Sequence, residues 1–311
     1  MKKNIQLFTA EYVSPKHPDK MCDRISDTIL EKFISQDPNS RVAVETLGGH
    51  GKVFIVGEVT STGKINQSEY EQMVADITGV NTYDVTVHIA QQSPEIAAGV
   101  DTGGAGDQGI VIGYACNHNE EMIPQEFYLA KSLCNYLYGK YPVDGKTQIT
   151  VNHKHDITHV VASFQGIQTT QLTKDVIHWL QDKQTNIDEV ILLVNPAGEW
   201  HIGGFEADAG LTGRKIVIDQ YGPRVPVGGG AFSGKDWTKV DRSGAKYAQY
   251  IAQQLLQKHN ANEVRVELAY AIGIAHPIQK IAYIDSVPNK ISEWDCTMNG
   301  IKKFIQNKNT N

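Results

Sequence analysis

The sequence predicts an α+β fold in which antiparallel hairpins are set between helices. Residues Arg41 to Leu47 and Lys52 to Thr60 alternate in hydropathy on either side of GGHG, and residues 147–152 and 157–164 repeat the pattern. Each pair reads as a hairpin with one buried face. The segments between them have helical period: after HPDK, Met21, Ile25, Ile29 and Phe33 recur four apart, with Ile34 beside them.

The first helix is entered at Pro18, whose missing N–H is no loss in a first turn. After the first hairpin comes a polar helix around Gln67 to Ile77, then an alternating strand, Val85 to Ala90. Residues 91–109, QQSPEIAAGVDTGGAGDQG, have no sustained period; a loop this long is usually functional. A strand (110–115), a helix (125–138), the second hairpin, a helix (171–182) and a strand (189–194) make the middle section. The last section has a strand at 216–219, a glycine-rich stretch, a helix from Ser243 to Lys258, strands at 263–271 and 279–284, and a terminal helix at 297–306. Tyr247, Ile251 and Leu255 form a stripe at helical spacing that belongs to the core. Lys302, Lys303 and Lys308 read as a solvated helix face.

Composition narrows the function. Lys and Arg total 29 against 35 Asp and Glu, a net charge of −6, which argues against nucleic-acid binding as a main task. An anionic ligand must then be met by local clusters of cations. The four cysteines are scattered without CxxC pairing, as free thiols of a reducing compartment. No apolar run approaches the ~20 residues of a membrane span, so a soluble, cytoplasmic protein is expected.

Five segments carry polar or glycine content that a core does not explain. HPDK places His17, Asp19 and Lys20 at a helix entry, where backbone N–H groups favour an anion; alone it is equally a capped helix with solvated charges. GAGDQG (104–109) allows close backbone approach to a ligand with Asp107 nearby, or a tight turn into a strand. ADAGLTGRK (207–215) joins Asp208 to Arg214 and Lys215 but alone reads as a solvated turn, and DGK (144–146) is by itself a turn signal. GGGAFSGKDWTKVDRS (228–243) is the strongest. Its glycines expose N–H groups, Lys235 and Lys239 lie four apart, and Asp241 supplies a hard oxygen ligand for Mg²⁺. Gly229 to Lys235 has P-loop spacing, yet Asp236 stands where a P-loop needs Ser or Thr. His153, His155 and His159 flank a hairpin and are explained more simply by an exposed polar turn than by a metal.

In the order HPDK, VETLGGHG, GEVT, QSPEI, GAGDQG, GLTGRK, GGGAFSGKDWTKVDRS and YAIGIA, up to about residue 285, the sequence resembles the S-adenosylmethionine synthetase (methionine adenosyltransferase) family. The resemblance implies three similar α/β domains in pseudo-threefold arrangement, with mostly antiparallel sheets and helices on one face. The domains would be residues 1–98, 104–202 and 203–311, open to strand exchange, with a gating loop beginning near residue 92. It implies synthesis of S-adenosylmethionine from ATP and L-methionine by sulfur attack at C5′, with the released triphosphate cleaved to phosphate and pyrophosphate. A thioether sulfur carries no proton, so no general base is needed, and catalysis rests on alignment and electrostatics.

Residue by residue, the resemblance places His17 near the ribose O5′, where an imidazolium offsets charge on the departing oxygen. Lys20, Lys146, Arg214, Lys215, Lys235 and Lys239 form the cationic cradle. Asp107, Asp144, Trp200, Asp208 and Ala231 join the nucleotide site, Trp200 at a position where an aromatic ring stacks on adenine. Glu58 and Gln92 pair on methionine, with Asp208 and Lys239. Asp19 and Asp241 hold two Mg²⁺ per site, and Glu45 serves a K⁺ site. A homodimer with active sites at the subunit interface, or a dimer of such dimers, is implied, with neither nucleic acid nor membrane as partner. Three departures stand out: a shorter loop between QSPEI and GAGDQG, Trp200 in place of the usual Phe, and an ending after about residue 285 without the usual motifs. The competing readings are a kinase or ATPase using residues 229–235 as a phosphate loop, and a non-catalytic nucleotide-binding relative.

Overall fold

Helix α1 (Pro18–Gln36) begins as the sequence predicts: Pro18 fills the first turn, and His17 Nδ1 accepts from the Asp19 N–H at 3.2 Å, capping the helix. The computed structural model describes residues 6–92 and 103–308. Met21, Ile25, Ile29 and Phe33 are buried with Val42, Val44, Val53 and Ile55 of the hairpin that follows. At about 1.5–3 kcal/mol for each such side chain, this stripe fixes the helix on its sheet.

The hairpin pairs β2 (Arg41–Gly49) with β3 (Lys52–Thr60) through His50 and Gly51, both at positive φ. Helix α2 (Gln67–Thr78), opened by a capping box between Asn66 and Glu69, then crosses over so that β4 (Asp84–Ala90) runs parallel to β3. The middle section repeats the scheme. Helix α3 (Gln125–Lys140) leads to the hairpin β6 (Gly145–Asn152) and β7 (Ile157–Phe164), and α4 (Thr169–Asp182) carries β8 (Ile191–Val194) parallel to β7. In the last section α6 (Val240–His259) precedes β10 (Glu263–Tyr270) and β11 (Gln279–Ile284), but only Asp285 and Ser286, both at positive φ, separate β11 from β12 (Val287–Asn289). A two-residue turn reverses the chain, so this pair is antiparallel, and α7 (Met298–Lys308) follows it.

Each sheet borrows a fourth strand from elsewhere in the chain, always antiparallel to its first strand. β9 (Gly210–Leu211) joins β2, β1 (Leu7–Val13) joins β6, and β5 (Gly109–Cys116) joins β10. The sheet orders are β4-β3-β2-β9, β8-β7-β6-β1 and β12-β11-β10-β5. The repeated order and the cyclic exchange form the threefold α+β architecture that the family resemblance implies. Ala10 of β1, Ile112 and Tyr114 of β5, Phe127 of α3, Tyr221 and Val225 share one buried cluster. On the first sheet, the face away from the helices stays open, with Leu47, Phe54 and Val56 40–51% exposed.

One sequence expectation changes, and two features of the sheets were not read from the sequence. Residues 216–219 form a short helix, α5 (Ile216–Asp219), not a strand; the N–H groups of Ile218 and Asp219 bond back to the Lys215 carbonyl, and β9 takes the edge of β2. β4 and β8 are parallel to their neighbours because helices separate them in sequence. β1, β9 and β12 went unread: β9 and β12 are two and three residues long, and β1 finds its partner more than a hundred positions away.

His155, in the β6–β7 turn, faces His118, just past β5, with ring centroids 4.5 Å apart. His159 Nδ1 instead meets Thr158 Oγ1 at 3.0 Å. Burial, with the charges of His155 and Arg224, lowers the His118 pKa to about 4. An unfolded chain takes up this proton first, so the stability His118 contributes is complete above the ordinary value of 6.5 and lost as pH falls toward 4. The thermal midpoint is expected to decline over that window, and His118→Asn to flatten the decline. An identical slope in the variant would contradict this.

Candidate active site

Three segments converge on the start of α1. Gly210 packs so closely on α1 that a Cβ there would lie 2.2 Å from the Pro18 carbonyl carbon. The adjacent Leu211 N–H donates to Asp19 Oδ1 at 2.9 Å. Ser26 of α1, Thr46 of β2 and Thr212 share buried hydroxyl hydrogen bonds of 2.9 Å, locking the β9 turn onto both elements. Arg214 and Lys215 follow, with Lys215 Nζ donating to Asp19 Oδ2 at 2.5 Å and Arg214 Nε 3.5 Å from Oδ1. Burial opposes the charge on Asp19, but Lys215, the Leu211 N–H and Arg214 together hold its carboxyl below the ordinary value.

The glycine-rich segment docks on the free edge of β2. Gly234 accepts from the Val44 N–H, Asp236 N–H donates to Val42, and Ala43 and Lys235 form an isolated bridge. Gly234 has φ +76°, and a Cβ there would meet the Val44 oxygen at 2.0 Å. Asp27 of α1 clamps the same segment, accepting from Ser233 Oγ, the Gly234 N–H and Arg242. Lys235 Nζ lies 2.8 Å from Asp241 Oδ2. Asp241 sits between glycines, where a Cβ at Gly230 would be 2.0 Å from its Cγ and one at Gly109 3.4 Å from Oδ1. Ala231 packs on Gly213, tying this segment to the Arg214 and Lys215 turn.

No strand leads into Gly229; residues 220–227 are turns and irregular backbone, so the P-loop frame is absent. Asp236 is 3% exposed and serves the chain itself, accepting from the Val42 N–H at 2.7 Å and from Thr238 N–H and Oγ1 at 2.9 and 2.7 Å.

His17 is buried, and its pKa is lowered to about 4 by desolvation, then by the charges of Lys146 and Lys215. The resemblance implied an imidazolium; burial and the ammonium groups of Lys146 and Lys215 oppose that charge. Because Nδ1 accepts from the Asp19 N–H, the neutral ring carries its proton on Nε2. Lys146 on β6 lines a cavity with Ser163, Glu199 and Trp200, and Trp200 Nε1 donates to Ser163 Oγ at 2.8 Å. Asp144 is buried and accepts from the Gly204 N–H; burial raises its pKa, against the Gly204 bond and Lys146. Asp208 is exposed but close enough to His17 and Asp144 to affect both.

Glu45, Glu58 and Lys235 line one cavity on the open face of the first sheet. Gln92 lies two residues past Ala90, the register partner of Glu58; it is 9% exposed, and its Oε1 has no hydrogen-bond partner among the described residues. Asp107 is exposed and accepts from the next residue's N–H. The expected gating loop, residues 93–102, lies outside the described residues.

Lys20 pairs with carboxylates other than Asp19 and Asp241. Its ammonium is bound by Asp23 at 2.8 Å and Asp219 at 2.5 Å. Burial would lower its pKa, but the two carboxylates reverse this and keep it charged. Burial in turn raises the Asp219 carboxyl, against its pairing with Lys20. Sequence reading missed Asp23, Asp27, Asp219 and the role of Asp236, since each is defined by a partner distant in sequence or by its face of a helix.

The arrangement suits a polyanion. Arg214 and Lys215 meet Asp19, Lys235 meets Asp241, Lys239 pairs with Asp236 next to Lys235 in sequence, and Lys146 acts on His17. Among the described residues, no three His, Cys, Asp or Glu converge as a metal cluster. A hard cation here would need substrate oxygens beside the carboxylates, which is the usual Mg²⁺ arrangement with phosphates.

Family models described as the N-terminal, central and C-terminal domains of S-adenosylmethionine synthetase match residues 5–99, 102–200 and 202–308. The last match continues well beyond residue 285, where recognisable motifs end. S-adenosylmethionine synthases from Prochlorococcus marinus and Bifidobacterium adolescentis are 39% and 38% identical, over 88% of this chain and 79% and 80% of theirs. A solved structure of an unusual S-adenosylmethionine synthetase from Campylobacter jejuni matches with a TM-score of 0.85 at 31% identity, covering 96% of this chain and 88% of that one. On three consecutive domain matches, relatives at this identity and a shared fold, the chain belongs to the S-adenosylmethionine synthetase family.

Proposed function

We propose that this site joins L-methionine to ATP, forming S-adenosylmethionine. A sulfur lone pair of methionine forms the bond to C5′, the C5′–O5′ bond breaks, and its electron pair leaves on the triphosphate, which water then cleaves to phosphate and pyrophosphate. The observation that carries this reading is the pairing of cations with carboxylates on segments that the fold brings together: Lys215 and Arg214 on Asp19 beside His17, and Lys235 on Asp241, with Ala231 of the glycine-rich segment packed on Gly213.

An ammonium has three protons to donate. Lys215 and Lys235 each engage one carboxylate, so both retain donors for a phosphate chain. The Nε2–H of His17 donates toward the departing oxygen, and the polyphosphate favours protonation of the ring. Trp200, oriented by Ser163, offers a π face to the base. Glu58 and Gln92 meet the methionine, Gln92 Oε1 having no donor among the described residues. Asp208 and Lys239 contribute to methionine and nucleotide, with Asp107, Asp144 and Ala231 along the nucleotide. Two Mg²⁺ held by Asp19 and Asp241 would neutralise triphosphate charge, and K⁺ at Glu45 would order the pocket without reacting.

The open face of the first sheet carries Glu45 and Glu58 amid exposed Leu47, Phe54 and Val56. A second copy facing it would bury that apolar surface and close the pocket, making a cytoplasmic homodimer, or a dimer of such dimers, the active form. No helix among the described residues is long and apolar enough to cross a membrane.

The test is incubation with ATP, Mg²⁺, K⁺ and methionine, with the products identified by mass. S-adenosylmethionine should form only with methionine present. ATP consumption indifferent to methionine would favour an ATPase.

A further inference from the structure

The geometry points to Asp236 as a positioning residue that aims Lys239 and seats the phosphate loop on β2. This rests on the reading of the site as a triphosphate cradle. A P-loop holds Ser or Thr at this position as a metal ligand. Here all the Asp236 acceptors are taken within the protein: Oδ1 by the Val42 N–H and Lys239 Nζ, Oδ2 by the N–H and hydroxyl of Thr238. Its side chain is fully buried, and Lys239 is its ion-pair partner.

Three consequences follow from that bonding. The Val42 contact joins the bonds from Val44 to Gly234 and from Asp236 to Val42, extending the first sheet by one irregular edge. On that edge, Lys235 faces the cavity of Glu45 and Glu58. The Asp236 carbonyl also accepts from the Lys239 N–H, so backbone and side chain of one residue fix the lysine at the N-terminal boundary of α6, two positions before Asp241. Lys239 keeps two ammonium protons for a ligand. Loss of the carboxylate would leave a cation without direction beside the phosphates.

The experiment compares wild type, Asp236→Asn, Asp236→Ser, Lys239→Met and the Asp236→Asn/Lys239→Met double variant in the S-adenosylmethionine assay, with folding checked by circular dichroism. Wild-type product formation tests the functional reading separately; the ratios among variants test this inference. Asp236→Asn is expected to lower kcat at least about tenfold with KM for ATP unchanged or lower, since the local positive charge increases. Asp236→Ser, which completes the P-loop pattern, is expected to lose synthesis similarly and to gain no methionine-independent ATPase activity. The double variant should lose less than the product of the two single losses, because residues acting as a unit are not additive. Thr238→Val removes one hydrogen bond to the carboxylate without leaving a buried charge unpaired, so it serves if Asp236→Asn does not fold; kcat should fall about threefold. Wild-type kcat in folded Asp236→Asn or in Thr238→Val would overturn the inference, as would losses that multiply in the double variant.

Discussion

Replacing Lys235 by alanine is expected to lower kcat about a hundredfold, the usual scale for removing one preorganised electrostatic contact to developing charge. The reaction makes this lysine critical. Sulfur needs no activation, so the barrier lies in the electron pair that the triphosphate must accept. Lys235 is held on the edge of β2 by backbone bonds on both sides, at Gly234 and Asp236, with its ammonium against Asp241. It therefore meets a phosphate chain in a fixed place, with little reorganisation during the reaction. Steady-state kinetics should show the loss in kcat with KM for methionine little changed. A loss confined to KM would mean that the lysine binds ground and transition states equally.

Asp19→Asn should affect both activity and stability. Asp19 is 1% exposed and collects the Leu211 N–H, Lys215 and Arg214 on one carboxylate. Neutralising one partner of a buried ion pair costs about 3 kcal/mol, and Lys215, itself largely buried, would keep its charge without a counterion. The β9 turn would loosen from α1, displacing Arg214 and Lys215 together. Chemical denaturation should show an earlier midpoint, and synthesis should fall at least about a hundredfold. Wild-type stability with normal synthesis would remove Asp19 from the centre of the site.

The sequence was most legible where local period and local chemistry agreed. α1 announced itself through HPDK and its four-residue apolar repeat, and the hairpins through alternation around GGHG and the 152–157 turn. Strand exchange was not legible, because β9 is too short to carry a pattern and β1 pairs with a strand far along the chain. IVID at 216–219 shows how context overrides propensity: its β-branched residues suit a strand, but the adjacent edge of β2 is already used and Asp219 is bound to Lys20.

Neighbours in a motif also need not share a direction. Asp19 and Lys20 are adjacent in HPDK, yet successive helical residues point about 100° apart. Asp19 therefore meets Lys215, while Lys20 meets Asp23 one turn further along. Asp236 was visible as an anomaly in the P-loop spacing. Its use was not, since its acceptors are fixed by Val42, nearly two hundred positions upstream.

The most direct test of the charge cradle is a crystal structure with methionine, Mg²⁺ and a non-hydrolysable ATP analogue. The account predicts a phosphate tail within hydrogen-bond reach of Lys235, Lys239 and Arg214, its C5′ open to the methionine sulfur. A tail lying elsewhere, with those three side chains still paired only to carboxylates, would contradict it.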